Sequence, residues 1–373
     1  MANDNHNNQL VMKLTKNLHE SGKNLVLSPF SLTTAIAMVL AGANTHTRTE
    51  LVQFLFGTKV TNNEDSKLML DNFTKDLQVF IQANQNVLNN ANMLYSNKNL
   101  QMKDTYVDLL IKKFMAVAKQ LDFHDTNAAL AEINGAVKKA TKDMIPTLLD
   151  QIDPETRAIL INAIHFKGLW KYPFNKEATF DSDFRKSDGT VIKVKMMSQK
   201  KNFAYYQCED TGLKALAIPY TAGSISMVIL LPAEGKTIES VLETMQNDNN
   251  LSQILNKMDT LDVQLMMPKF RIESTHHLIP HLVRLDVKSI FTNEADLSSI
   301  SSEKLFVSDV IQKAVIEVNE EGTEAAAATA IMMMRCCVML DEIFFTVDRP
   351  FVYMLISDDR KHVLFTGVCE NPN

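Results

Sequence analysis

The side chains best suited to chemistry in this chain of 373 residues are its cysteines and histidines, and their spacing assembles no catalytic or metal-binding set. The four thiols are Cys208, Cys336, Cys337 and Cys369. Two are adjacent, a poor layout for disulfide bridges, so reduced thiols in a reducing compartment are expected. His165, His276, His277 and His281 lack the spacing of metal ligands and read as structural. The sequence has no GxSxG, no phosphate-cradling glycine loop, no HExxH and no CxxC. Neither an enzyme nor a bound metal or cofactor is therefore expected. What stands out instead is a row of reactive or recognisable side chains, Met332, Met333, Met334, Arg335, Cys336 and Cys337. Arg335 suits the carboxylate-lined pocket of a trypsin-like protease. The two thiols are either reactive or incidental, and the methionines form an adaptable contact surface open to oxidation.

That row sits inside an unusual connection, Val318 to Leu340, reading VNEEGTEAAAATAIMMMRCCVML. It joins two strand-like runs, Val307 to Val318 and Ile343 to Val347, and connections of more than twenty residues in compact chains are usually functional or disordered. Disorder is a poor fit, because Ala and Met replace the usual Pro, Ser and Lys. With period two, Thr323, Ala325, Ala327, Thr329, Ile331 and Met333 share one face, all uncharged and mostly small, while Glu324 falls on the other. Such a face could slide into a sheet against tightly packed chain. Alanine, however, favours helix over strand, a conflict expected of a segment that serves two states. The same residues also fit an exposed Ala-rich helix carrying Met334 and Arg335.

Helices are expected first along the chain. Leu10, Val11, Leu14 and Leu18 keep helical spacing, and Thr47-Arg48-Thr49-Glu50 reads as a capping box opening the run Leu51, Val52, Phe54, Leu55. Further helices are expected near 65–84, 104–115 and 127–141. Strands follow at Ala158 to Phe166, Phe203 to Cys208, Ala215 to Tyr220, Ser224 to Leu231 and Asp262 to Met267. A short helix covers His277 to Leu285, and extended chain returns over Leu305 to Val318 and Phe344 to Val368. Helices early and strands late indicate an α+β architecture. No Pro-, Gly- or Ser-rich linker or internal repeat interrupts residues 1–373, so one domain is expected.

The formal net charge of −6 is mild, and the Lys pairs at 112–113, 138–139 and 200–201 read as solvated faces. These scattered pairs indicate no nucleic-acid or heparin partner, and no membrane partner is expected, since no window reaches 18 uninterrupted apolar residues. The polar start, MANDNHNNQL, lacks the features of a secretory signal. A cytoplasmic location is the expectation, with secretion by an unconventional route or after removal of a signal as the alternative. The sequons at Asn72 and Asn250 would matter only in an exported protein.

The run Glu320-Glu321-Gly322-Thr323-Glu324-Ala325-Ala326-Ala327-Ala328-Thr329 resembles the hinge of an inhibitory serpin. The resemblance extends over nearly the whole chain. Asn24 to Ser31 (NLVLSPFS), Gly42-Ala43 and Thr49 come first. Asn162 with Phe166-Lys167-Gly168-Leu169-Trp170 follows, then Pro268-Lys269-Phe270, Ala295 to Ser298, Arg349-Pro350-Phe351, Leu364 to Gly367 and Asn371-Pro372, all in family order. The absent leader, the reduced cysteines and the AAAAT hinge are most similar to the ovalbumin-like, intracellular branch. The resemblance implies three β-sheets, eight or nine helices and an exposed reactive-centre loop at about 319–342. It implies a protease inhibitor that is cut once in that loop and traps the enzyme as an acyl-enzyme by inserting the hinge as a new strand.

On this resemblance Gly322 gives the bend where the loop leaves the sheet and Thr323 is the first side chain to enter the core. Family spacing places the specificity residue fourteen beyond Gly322, at Cys336, whereas side-chain chemistry selects Arg335. Cleavage between Arg335 and Cys336 by a trypsin-like serine protease is the reading adopted. The alternative, Cys336–Cys337, suits a chymotrypsin-like enzyme or a cysteine cathepsin. Ser28, Ser31, Asn162 and Gln312 correspond to the shutter beneath the sheet, and Trp170 lies in the family's strand motif where the sheet opens. Gln312 replaces the usual His, and Asp286 a usual Gly. A non-inhibitory storage, carrier or chaperone serpin is the rival class, but such relatives tend to have bulky or charged hinge residues.

Overall fold

The computed structural model describes residues 2–60, 62–221, 224–246, 250–323 and 342–373, without the side chains of residues 2–5 and 250. Among these residues there are nine α-helices and three β-sheets, an α+β architecture. No described helix is long and apolar enough to cross a membrane. The chain divides into two compact units, each assembled from separate stretches.

One unit comprises residues 28–165 and 275–315. Its centre is the strand Ala158–Phe166, every residue of which is buried, as its sequence AILINAIHF requires. Asp309–Val318 runs parallel to it, with Asp309 to Val315 opposite Ile159 to His165. These strands belong to a five-stranded sheet completed by Phe270–His277, Leu88–Asn97 and Val117–Leu121. The helix Thr126–Ala140 covers one face, burying Ala129, Ile133 and Val137 at successive four-residue steps against Ile159, Ile161, Ala163, Ile311 and Val315. It begins where Asp125 accepts a hydrogen bond from the Ala128 amide at 3.1 Å. The helix Pro29–Gly42 starts with Pro at its first turn after Ser28, whose hydroxyl accepts from the Ser31 amide.

Two local expectations change in this unit. The capping box at Thr47 is not one, because the helix Thr45–Phe56 begins two residues earlier with Asn44 as its N-cap. Thr47 is buried inside the first turn and accepts from the Asp296 amide at 3.0 Å, and Glu50 accepts from the amides of Lys288 and Ser289. Both side chains serve chain distant in sequence. The departure from Gly at Asp286 also acquires a reason. Its φ is 66°, a left-handed conformation that Asp tolerates better than most residues, and Lys288 donates to its carboxylate at 2.7 Å.

The other unit comprises residues 1–27, 166–274 and 316–373. It contains a nine-stranded sheet in which the long strand Val191–Gln207 pairs with Phe180–Arg185, Lys214–Pro219 and Asp259–Pro268. Asp259–Pro268 is joined in parallel by Ile343–Thr346. A separate two-stranded sheet pairs Gly168–Leu169 with Gly322–Thr323.

Candidate functional site

The two-stranded sheet fixes the last described residues before position 324. Asn319 and Gly322 close a turn by exchanging backbone hydrogen bonds of 3.0 and 3.3 Å. Gly322 has φ of 147°, and a Cβ there would stand 2.1 Å from the Gly168 carbonyl oxygen, so neither conformation nor space admits another residue. Gly168 is equally constrained, since a Cβ would stand 2.6 Å from the Phe166 ring. Thr323 is 2% exposed, and its hydroxyl lies 2.8 Å from the Tyr220 hydroxyl. Burial raises the Tyr220 phenol far above its ordinary range, so this pair is neutral at any working pH.

Trp170 holds the turn from one side. Its indole Nε1–H donates to the Asn319 carbonyl at 2.9 Å, and its backbone N–H donates to the Glu321 carbonyl at 2.9 Å. The indole stacks on Tyr220 with ring centroids 4.4 Å apart and planes 16° from parallel. Both glutamates of the turn are buried, and both are paired. Lys269 bonds Glu320 at 3.0 Å and Thr179 donates to it at 2.8 Å, while Lys176 bonds Glu321. Burial pushes the Glu320 carboxyl up, but its own backbone N–H, Lys269 and Thr179 together outweigh this and hold it below the usual glutamate range.

The second cluster is built on the paired strands Asp309–Val318 and Ala158–Phe166, where Gln312 lies directly opposite Asn162. Gln312 is fully buried and uses its primary amide as a two-point match for the Ser28 peptide. Its Oε1 accepts from the Ser28 N–H at 2.7 Å, and its Nε2 donates to the Ser28 carbonyl at 3.0 Å. Nε2 donates a second bond to Asn162 Oδ1 at 2.8 Å. Asn162 in turn donates to the Ser31 carbonyl at 3.0 Å and to Asn92 Oδ1 at 2.7 Å, and Ser31 Oγ donates to Asn90 at 3.1 Å. Gln fits here because one side chain supplies acceptor and donors in a plane.

The structure thus brings Ser28, Ser31, Asn162 and Gln312 into one network, and Trp170, Glu320, Glu321, Gly322 and Thr323 into another. Glu324, Ala325, Ala326, Ala327, Ala328, Thr329, Arg335, Cys336 and Cys337 lie outside the described residues. Sequence reasoning missed Tyr220, Thr179, Asn90 and Asn92, which are joined to their partners at separations of 59 to 141 residues. No local pattern marks such contacts, although Asn90 and Asn92 alternate in a strand where buried amides need partners. Of the other thiols, Cys208 is partly exposed and Cys369 buried, and both are free.

The sequence matches the family described as Serpin (serine protease inhibitor) over residues 5–372. The chain is a serpin. Among its relatives, Iris of Ixodes ricinus is 40% identical over 97% of each chain, and leukocyte elastase inhibitor A of Mus musculus is 36% identical over 97% of this chain and 98% of its own. Among solved structures, Serpin48 of the insect Tenebrio molitor superposes with a TM-score of 0.87 at 29% identity, covering 99% of this chain and 98% of its own. The chain therefore belongs to a family of protease inhibitors, and its α+β fold is the serpin fold.

Proposed function

We propose that this serpin inhibits a trypsin-like serine protease as a suicide substrate. The protease serine attacks the carbonyl carbon of Arg335. The peptide bond to Cys336 breaks, the released amine takes up a proton, and Arg335 stays esterified to the enzyme. The chain following Gly322, toward Arg335, then enters the sheet as an additional strand beside Asp309–Val318, drawing the protease with it and stalling deacylation. About a dozen residues gaining ladder bonds on both sides, at roughly 1 kcal/mol per hydrogen bond, would release on the order of 10–20 kcal/mol.

The observation that carries this reading is the Gly322–Thr323 pairing. A small, uncharged side chain stands at the start of the segment, already buried and held by one neutral hydroxyl pair, so releasing it and burying it again strands no charge. A bulky or charged residue at that position would favour a non-inhibitory role. The Gln312–Asn162 bond supports the reading too, because it crosses the seam between two strands that must part to admit a third. Free Cys208 and Cys369 are compatible with a cytoplasmic location, which we adopt as part of the proposal.

The test is to mix the purified protein with trypsin, run a denaturing gel and weigh the released C-terminal fragment. A covalent band near the summed masses, with a fragment beginning at Cys336, is expected. A fragment beginning at Cys337 would move the bond by one residue and redirect the search to chymotrypsin-like enzymes or cathepsins. Clean cleavage by all three enzyme types without a covalent band would contradict the proposal and leave the family assignment intact.

A further inference from the structure

Beside the Gly322–Thr323 turn lies a surface whose charge has no internal use. Leu169, which pairs with Gly322, is 38% exposed, and three residues on Tyr172 is 36% exposed. Two ammonium groups face the Tyr172 ring, Lys171 Nζ at 5.7 Å and Lys201 Nζ at 5.9 Å from its centroid. Gln199 donates to the Tyr172 carbonyl at 3.2 Å, fastening this stretch to the strand that also carries Lys201. Neither Lys171 nor Lys201 has a carboxylate partner among the described residues. Neighbouring Lys200 differs, since Asp262 lies 3.5 Å from it and Glu342 bonds it. In a chain of net charge −6, two uncompensated ammonium groups gathered on one exposed ring are a local reversal of sign.

We propose that Lys171, Tyr172 and Lys201 form a docking surface for an acidic patch on the target protease. The inference rests on the cleavage reading above, because Arg335 follows Thr323 by only twelve residues, so a protease that attacks it works within about 40 Å of chain length of the sheet end where Leu169 and Thr323 lie. Charge complementarity of this kind raises association rates and falls with ionic strength, and tyrosine is among the side chains enriched at protein interfaces, with charges gathered at the rim. The surface selects among proteases of the same cleavage preference by the charge they carry outside the active site.

Two trypsins that share an Arg-selective pocket but differ in net charge, one anionic and one cationic, provide the test. Their association rate constants are measured at low salt and at high salt, for the wild type and for a Lys171→Glu/Lys201→Glu variant whose thermal midpoint is checked for intact folding. The wild type is expected to favour the anionic enzyme by about tenfold at low salt, with the preference lost at high salt. The variant should favour the cationic enzyme at low salt, with an unchanged yield of covalent complex. The same rate ratio in wild type and variant would overturn the docking proposal alone. Failure of both trypsins to form a covalent complex with the wild type would overturn the cleavage reading and this proposal with it.

Discussion

The turn at Asn319–Thr323 and the cluster around Gln312 are both buried and hydrogen-bonded, yet they are built from different chemistry. The turn is held by two glutamates, two lysines, an indole and a hydroxyl pair. The cluster uses only amides and hydroxyls from Ser28, Ser31, Asn90, Asn92, Asn162 and Gln312. A charged fastening responds to protons and to lost partners, whereas a neutral network is indifferent to pH but fails sharply when one member is removed. In the proposed mechanism the first governs release of the inserting segment and the second guards the seam that receives it.

The largest effect is expected at the turn. Thr323→Arg would place a guanidinium where 2% of the threonine is exposed, at a cost of several kcal/mol once buried without a partner. We expect the variant to be cleaved as a substrate, with covalent complex on a denaturing gel reduced more than tenfold. Undiminished complex would separate Thr323 from the insertion step.

Next comes Gln312→Ala, which removes three buried hydrogen bonds, two to the Ser28 peptide and one to Asn162 Oδ1. A loss of about 3–5 kcal/mol is expected in denaturant unfolding. Trp170→Phe removes one bond and leaves the Asn319 carbonyl with the Gly322 amide alone, while retaining most of the stack on Tyr220, so about 1–2 kcal/mol is expected. If Trp170→Phe proved the costlier of the two, the contrast between a neutral guard and a charged fastening would be wrong.

The smallest expected effect separates the two regions by pH. The Glu320 carboxyl titrates below its ordinary value, so its ionised form is the one the folded turn binds. Its contribution is complete above the unfolded value of about 4.3 and is lost as pH falls through the lowered folded value. Amide exchange or proteolysis near the turn should therefore increase in acid, and Glu320→Gln should flatten that dependence. Around Gln312 the same acidification should change nothing, because no member of that network titrates.

Much of this was legible in the sequence because it rests on local pattern. The mainly apolar run at Ala158–Phe166 is readable as a buried strand without a partner in view. The assignment of Gln312 to a polar site came from resemblance, and its two-point match to the Ser28 peptide required coordinates. Thr47 shows the limit of pattern from the other side. Its spacing to Glu50 imitates a capping box, but both side chains reach across to Asp296, Lys288 and Ser289, which tertiary packing alone brings near. Tyr220 illustrates the same point at the turn. It reads as the end of an ordinary strand, and only the fold sets its hydroxyl against Thr323.

The measurement that bears most directly on the account is thermal unfolding of the intact protein beside the same protein cleaved at Arg335–Cys336. Insertion of the chain following Gly322 as an additional strand predicts a cleaved form more stable by on the order of 10–20 kcal/mol, raising its midpoint by on the order of 20 °C or more. A cleaved form that melts at or below the intact protein would mean that the segment stays outside the sheet, and would contradict insertion as the source of inhibition.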